Sequence, residues 1–439
     1  MIFSLSNLLT TLQTYPTTSR FWIAYSGGLD SHVLLYALAQ LRSALPHIEL
    51  QAIHIHHGLQ KNADAWAAHC QTICQQLAIS CDVIHVNIEK KHRQSLEAQA
   101  REVRYQAIKN KIADNDIVLT GQHADDQAET VLLQLLRGSG VAGLAAMPTI
   151  IPFGQGWLAR PLLSYSRQKL ENYATNMHLN WIQDESNFDT CFDRNFLRHE
   201  IIPLLQTRWS NLNQTLGRVA QHQAETQTLL HTLAQLDLKT CLIEENQSLA
   251  ISELQHLSVA RQRNLLKMWI KQCSLPQPSS QQLQQILTTI LPARQDAQPI
   301  VKWQGGEARR FQNQLFIMKN LPDLPQLQSL SWNRKNAILL PLGQLQFIQT
   351  ETKGLALSDN QKVTVQFRQG GEVCTVFGKQ HRVKKLLQDK KIPPWLRGFI
   401  PLIYVDNELA AIPNVAICDP FFTHHQGWQV EWHKLIFDI

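Results

Sequence analysis

The feature that most constrains this fold is the stretch FWIAYSGGLDSHVLLYAL at 21–38. An apolar run of strand length ends in Ser26-Gly27-Gly28-Leu29-Asp30-Ser31, and an apolar helical pattern begins at once. Glycines let a backbone reach positive φ and let a large anion come close. A helix N-terminus adds unpaired N–H groups and a positive dipole end. Ser26 and Ser31 supply hydroxyl donors, whereas Asp30 would repel a phosphate unless both touch one metal ion. The loop lacks the lysine of G-x-x-x-x-G-K-[ST], which grips the β- and γ-phosphates. A loop that cradles pyrophosphate itself suits cleavage between the α- and β-phosphates. The plainer alternative is a tight strand–helix turn with glycines for packing. Strand, S-G-G-L-D-S and helix in direct succession favour the anion site.

Periodicity extends this unit into a βα series. Residues 21–25, 50–55, 82–88 and 117–120 read as strands, and 30–42, 63–77, 96–113 and 124–137 as helices. They predict an α/β fold, a doubly wound parallel sheet with helices on both faces and ligands at the strands' carboxyl ends. Beyond 195 the texture changes. Residues 195–236 and 252–272 look helical, a Pro/Ser break follows at 275–280, and 301–318 looks β-like with a turn at 312–314. Shorter strands and denser basic residues follow from about 361. At roughly 100–200 residues per domain, the 439 residues divide into three units, 1–215, 216–355 and 356–439.

Composition supports packed cores, with 44% hydrophobic and 17% charged residues. The net charge of +6 is too mild to announce a nucleic-acid protein by itself. Eight cysteines form no C-x-x-C pair, and such scattered thiols fit a reducing cytosol. Cys70 and Cys74 stand one helical turn apart, which reads as a buried helix face before a metal site. The N-terminus reads as a short amphipathic helix, not a signal peptide, and no apolar run approaches the ~18 residues of a membrane span.

Four further stretches concentrate polar chemistry. In AIHIHHGLQ, 52–60, His54 and His56 share one strand face and His57 ends it; hydrogen bonding suits them better than zinc. In SLEAQAREVRY, 95–105, Ser95 is a helix cap, and Glu97, Arg101 and Arg104 recur on one face, which a solvated ion pair also explains. In LTGQHADDQAETVLLQLLRGSG, 119–140, His123, Asp125, Asp126 and Glu129 crowd a helix start after a strand. Acids there are ordinary dipole partners, yet at this sheet edge they can hold magnesium or take a proton. In WIQDESNFDTCFDRNFLR, 181–198, Asp184, Ser186, Asn187, Arg194, Asn195 and Arg198 suit either turns and caps or a loop closing on substrate.

The first loop resembles the signature of the PP-loop ATP pyrophosphatases, which adenylate a substrate oxygen and let a nucleophile displace AMP. In order from 21 to 203, all five stretches resemble the bacterial tRNA(Ile)-lysidine synthetase family. G-Q-H-A-D-D-Q-A-E-T and D-E-S-N…R-N-F-L-R are the most selective blocks. VQFRQGGE at 365–372 and IPPWLRGFIPLI at 392–403 resemble the long form, with two further domains. Gln60 stands where arginine is expected after H-G-L, and Gln122 where histidine is frequent. The resemblance implies a mainly helical middle domain and a small α+β C-terminal domain. It implies that lysine is joined to C2 of the wobble cytidine of tRNA(Ile) with a CAU anticodon. ATP and Mg2+ would be the cofactors and the cytoplasm the compartment, with no membrane and no protein partner.

On that resemblance Ser26, Gly27, Gly28, Leu29, Asp30 and Ser31 hold ATP, and Asp30 and Asp126 hold magnesium. Glu129 contacts or deprotonates the lysine amine, and Arg104 and Arg194 stabilise phosphate charge or the activated base. Residues 379–397 carry seven Lys and Arg against one acid, Asp389. This helix-like run, otherwise a solvated face, is expected to hold the acceptor stem while the N-terminal domain reads the anticodon. A tRNA thiolase would carry C-x-x-C pairs. An ammonia-fed amide synthetase would leave the basic run unexplained. A non-enzymatic RNA-binding module would not need Asp30, Asp126 and Glu129 beside such a loop.

Overall fold

The computed structural model describes residues 2–58, 62–87, 96–294, 297–324, 329–333, 336–358 and 360–434. Gln60, Ile88, Ser95 and the side chains of Glu97 and Ser186 fall outside the described residues. Contacts divide the chain into two compact units, Met1–Leu229 and Leu230–Ile439.

The first unit begins with α1 (Leu5–Gln13), capped by the Ser4 hydroxyl. It continues β1 (Arg20–Ala24), α2 (Leu29–Gln40), β2 (Glu49–His56), α3 (Ala63–Gln76), β3 (Ser80–His85), α4 (Leu96–Lys111), β4 (Ile117–Leu119) and α5 (Ala124–Leu136). After α6 (Val141–Leu144) come β5 (Ile150–Phe153), β6 (Gly156–Ala159), α7 (Arg167–Asn176), α8 (Asp193–Phe196) and α9 (Ile202–Arg208). The six strands lie in the order β3-β2-β1-β4-β6-β5. All pairings are parallel except β5 with β6. This antiparallel edge hairpin is not evident in the sequence because its short apolar runs carry no clear period.

Strand alternation feeds two cores, one on each sheet face. Phe21, Ile23, Ile117 and Leu119 join Leu34, Leu38 and Tyr165 on one face. Trp22, Ile53, Val118 and Leu158 join Ile108 and Ile112 on the other. Each such side chain contributes about 1.5–3 kcal/mol on burial. Cys70 and Cys74 are buried on the inner face of α3, as their spacing predicts.

Residues 195–236, expected to be helical, are helical in successive pieces. A π turn occupies Leu197–Ile201, and Trp209 at φ −120° ends α9 before α10 (Leu212–Cys241). The second unit continues from α10 into β7 (Leu242–Ile243), β8 (Ser248–Ala250), α11 (Ile251–His256), α12 (Val259–Gln272) and α13 (Ser280–Gln285). The helices cover a sheet completed by β9 (Ile300–Trp303), β10 (Gly306–Phe311) and β11 (Gln314–Met318). The turn expected at 312–314 is the β10–β11 hairpin, with Gln312 at φ +55°.

The C-terminal strands are β12 (Leu330–Trp332), β13 (Ile338–Leu340), β14 (Gly343–Thr350), β15 (Gly354–Leu355), β16 (Val363–Phe367), β17 (Val373–Val376) and β18 (Lys379–Arg382). After α14 (Val383–Asp389) follow β19 (Pro401–Val405), β20 (Glu408–Ile412), β21 (Ala416–Ile417), β22 (Phe422–Thr423) and β23 (Gly427–Lys434). They form two five-stranded antiparallel sheets around one core, plus the β17–β18 hairpin. The basic run is therefore not one helix. A turn at Phe377-Gly378 makes its first four residues a strand. Two thiols expected to be scattered, Cys374 and Cys418, are bridged with Cα atoms 5.4 Å apart. Antiparallel folding brings together positions that sequence spacing separates.

His32, on α2, is 3% exposed and its Nδ1 has no hydrogen-bond partner. Burial lowers its pKa to about 4 and His69 pushes the same way, against a backbone hydrogen bond at Asn180. The folded state therefore refuses a proton that the unfolded chain accepts below about 6.5, so stability falls as pH drops through that window. Between pH 7 and 5, wild type should lose about 2 kcal/mol more than His32→Leu. Urea unfolding of the intact chain at both pH values checks this; equal losses would remove His32 from the account.

Candidate active site

The loop between β1 and α2 is built from its own hydrogen bonds. Ser31 Oγ donates to the Gly28 carbonyl at 3.0 Å, accepts the Ser26 N–H at 3.2 Å, and lies 3.0 Å from Ser26 Oγ. Gly27 sits at φ +84°, and a Cβ there would lie 2.8 Å from Ile182 Cδ1 and 3.1 Å from Cys70 Sγ. Its carbonyl accepts the Ile182 N–H at 2.9 Å, which fixes the loop from behind. Gly28, at φ −76°, caps α2 without a side chain of its own. The first turn of α2 thus has no side-chain cap at its end, as an anion site requires.

β4 lies beside β1, so the segment after β4 meets this turn directly. A Cβ on Gly121 would lie 2.9 Å from the Ser31 nitrogen, so only glycine permits the approach. His123 then arrives beside Asp30. Its Nε2 is 3.6 Å from Asp30 Oδ2 and 3.4 Å from Asp126 Oδ2, and its Nδ1 is 3.5 Å from Asp125 Oδ2. Burial opposes charge on this ring, but Asp126, Asp125 and Asp30 outweigh it and push its pKa up to about 10. Nδ1 also lies 3.2 Å from the Asp125 N–H, so the ring sits at the cap of α5.

Asp126 and Glu129, three apart on α5, meet two arginines four apart on α8 and the π turn. Asp126 Oδ1 accepts from Arg194 Nη2 at 2.9 Å and Arg198 Nη2 at 3.1 Å. Glu129, 1% exposed, accepts from Arg194 Nε at 2.7 Å, Arg198 Nε at 2.6 Å and Arg198 Nη2 at 3.0 Å. Burial alone would raise the Asp126 pKa, but His123, Arg194 and Arg198 hold it below the usual carboxylate range. Asp125 secures the frame, accepting from the Arg167 backbone N–H at 2.8 Å and from Asn213 Nδ2 at 2.9 Å.

The structure brings Ser26, Gly27, Gly28, Leu29, Asp30 and Ser31 into one loop, and Asp126, Glu129 and Arg194 into one cluster. Arg104 does not join that cluster. It is exposed on α4, 5.6 Å from the Tyr105 ring centre, and its charge acts on His57. Arg101 shares the Tyr105 ring at 5.4 Å. His54 Nδ1 bonds the Tyr25 carbonyl at 2.9 Å, and His56 Nε2 bonds Asp64 at 2.9 Å. Arg198 and His123 belong to the sequence motifs, but no role follows for them from the motifs alone. The four-residue spacing of Arg194 and Arg198, matched to the three-residue spacing of the acids, is the signal the sequence offers. A cavity of about 360 Å³ adjoins the cluster, lined by Glu129, Glu171, Arg167, Arg198, Gln183 and Phe188 among others.

Asp30 Oδ1 is buried without a hydrogen-bond partner, beside a loop shaped for phosphate. That donor fits a magnesium ion, which takes one or two carboxylates and completes its shell with phosphates and water. Among the described residues no group of three or more His, Cys, Asp or Glu forms a self-sufficient metal site.

Arg198→Ala removes two of the three donors from a buried carboxylate. It should cost about 3 kcal/mol, because the stranded charge loses its pairing. Pairing it with Glu129→Gln should recover part of the loss. Urea unfolding of the single and double variants reads both.

A PP-loop domain family model matches residues 4–205, a TilS substrate binding domain 249–316, and a TilS substrate C-terminal domain 363–432. The tRNA(Ile)-lysidine synthase of Coxiella burnetii (strain RSA 493 / Nine Mile phase I) is 40% identical, over 98% of this chain and 97% of its own. That of Serratia proteamaculans (strain 568) is 40% identical, over 94% and 95%. The U34-tRNA thiolase NcsA from Methanococcus maripaludis aligns over 50% of this chain and 77% of its own, at 17% identity and TM-score 0.43, too slight a likeness to build on. Domain order and near-complete coverage of these relatives agree with the loop, the acid cluster and the arginine pair: the chain belongs to the tRNA(Ile)-lysidine synthase family.

Proposed function

We propose that this chain ligates L-lysine to C2 of the wobble cytidine of tRNA(Ile) carrying a CAU anticodon, at the expense of ATP. The reading changes from AUG to AUA codons. The observation that carries it is the phosphate loop meeting, through His123, the helix that bears Asp126 and Glu129, in a chain that spans the length of its lysidine synthase relatives.

The ring oxygen at C2 is a poor leaving group. Its attack on the α-phosphorus of ATP forms an O–P bond, breaks the α–β bridge and releases pyrophosphate. AMP, carried on that oxygen, is then a competent leaving group. The lysine amine forms the C2–N bond, the C2–O bond breaks, and AMP departs. The amine must first lose a proton, since its reference pKa is about 10.4.

Backbone N–H groups at the start of α2, with Ser26 and Ser31, hold the triphosphate. Asp30 and Asp126 would hold magnesium, which neutralises phosphate charge. Asp126 is freed when Arg194 and Arg198 turn from it to incoming phosphate, where guanidinium forks bind well. Glu129, released by the same exchange, receives the amine. The 360 Å³ cavity, with both carboxylates and guanidiniums on its walls, is where we place lysine. Arg104 would act from the other side, near His57.

Residues 1–215 form the catalytic domain in this reading, 216–355 the middle domain and 356–439 the domain that grips the acceptor stem. The cytoplasm is the compartment we assign, and there the Cys374–Cys418 bridge would stand as two thiols.

Labelled lysine should enter a CAU-anticodon tRNA(Ile) transcript and not methionine tRNA, with AMP and pyrophosphate released. Asp126→Asn and Glu129→Gln should each lower turnover about 10²–10⁴-fold; normal turnover would sink their roles. Pyrophosphate release without lysine transfer would leave the loop standing and require another nucleophile. Ending the chain before Gln361 should weaken tRNA binding and flatten its dependence on salt.

A further inference from the structure

The β17–β18 hairpin carries an oddity at its tip. Phe377 is 91% exposed, more than any other large apolar side chain among the described residues. It also stands at φ +53°, followed by Gly378 at φ +72°. Two central residues at positive φ make the two-residue hairpin turn that Asn-Gly ordinarily supplies. A bulky aromatic there is an outlier. The turn thus bears a backbone cost and a solvent cost for a ring that stands 91% exposed among the described residues.

The tip is nevertheless held firmly. Asp419 Oδ1 accepts the Phe377 N–H at 2.9 Å, and its Oδ2 accepts the Gly378 N–H at 2.7 Å. Cys374, three residues before Phe377, and Cys418, next to Asp419, are both buried with Cα atoms 5.4 Å apart, so the base of the hairpin stays packed against the segment bearing Asp419 even when the two sulfurs are thiols. An exposed ring on a tethered turn is presented, not loose.

The stretch that follows the turn is cationic. Lys379 and Arg382 on β18, and Lys384, Lys385, Lys390 and Lys391 on and after α14, are all exposed. The nearby acids are engaged locally: Asp419 by the turn, Asp389 by Lys385 at 3.0 Å, and Glu372 by the Gly370 N–H at 2.6 Å. An aromatic face at the head of a segment rich in exposed lysines suits a nucleic-acid base and neighbouring phosphates. A base is available for stacking only where it is unpaired. One isolated ring offers too little apolar surface to enter a membrane.

We infer that Phe377 stacks on an unpaired base at the 3′ end of the tRNA, while the exposed lysines and Arg382 hold the adjacent backbone. This inference rests on the proposed tRNA substrate and deepens it, naming a contact that recognises the strand's unpaired end.

The test measures affinity of the intact enzyme for the CAU-anticodon tRNA(Ile) transcript and for the same transcript lacking its unpaired 3′ nucleotides. Phe377→Ala should weaken binding to the full transcript about tenfold, and Phe377→Trp should restore it. Wild type should bind the shortened transcript as weakly as Phe377→Ala does, with no further loss when both changes combine. The salt dependence should be unchanged in Phe377→Ala, since a neutral ring releases no counterions, and shallower in Lys384→Ala. Thermal melting of each variant verifies that it folds.

If wild type binds the tRNA and Phe377→Ala binds it equally well, the inference fails alone. It also fails alone if the alanine variant loses only its binding to anionic vesicles. If wild type binds no tRNA, the proposed function fails and takes this inference with it.

Discussion

Everything at the site follows from one adjacency, β4 beside β1. Because β2 leaves on the other side of β1, the connections diverge at this point and open a crevice at the carboxyl ends of two neighbouring strands. One strand delivers the phosphate loop and the other delivers His123 and α5. Gly121 lets the two come to backbone contact, so Asp30 and Asp126 meet one imidazolium. Without that contact the acids of α5 would be helix-start carboxylates of the ordinary kind.

The first unit is legible in the sequence because its signals are local. The β1–loop–α2 stretch states its own conformation through apolar period, glycine and helix start. His123, Asp125 and Asp126 announce a helix start after a strand. What local signals do not convey is pairing at a distance. Arg194 and Arg198 are 68 and 72 residues from Asp126, and nothing near them says which acids they will meet. Arg104 is the opposite case: its motif says nothing of its neighbours, and its helix face sets it beside Tyr105, with its charge acting on His57.

The second unit is less legible for a physical reason. Charge density says little about backbone conformation, so the basic run looks like one helix. The decisive residues are the turn at Phe377-Gly378, which makes Lys379–Arg382 a strand and leaves Val383–Asp389 a short helix. Its β strands are paired at long range, as Gly343–Thr350 pairs with Gly427–Lys434. Neither half of such a pair is specified by its own neighbours in sequence.

The charge count at the cluster has one more consequence. Asp30, Asp125, Asp126 and Glu129 stand against Arg194, Arg198 and His123, so four negative groups and three positive ones nearly cancel. Such a site casts little field beyond the reach of its own atoms. In the function we propose, it therefore does not draw a nucleotide in from solution: capture begins at contact, with the amides at the start of α2, and the arginines trade one anion for another afterwards. The exposed lysines around β18 and α14 are of a different kind. With Asp389 the one acid in that run, paired to Lys385, they leave a net positive field in solvent, so in the proposed function the chain meets its RNA at long range and its nucleotide at short range.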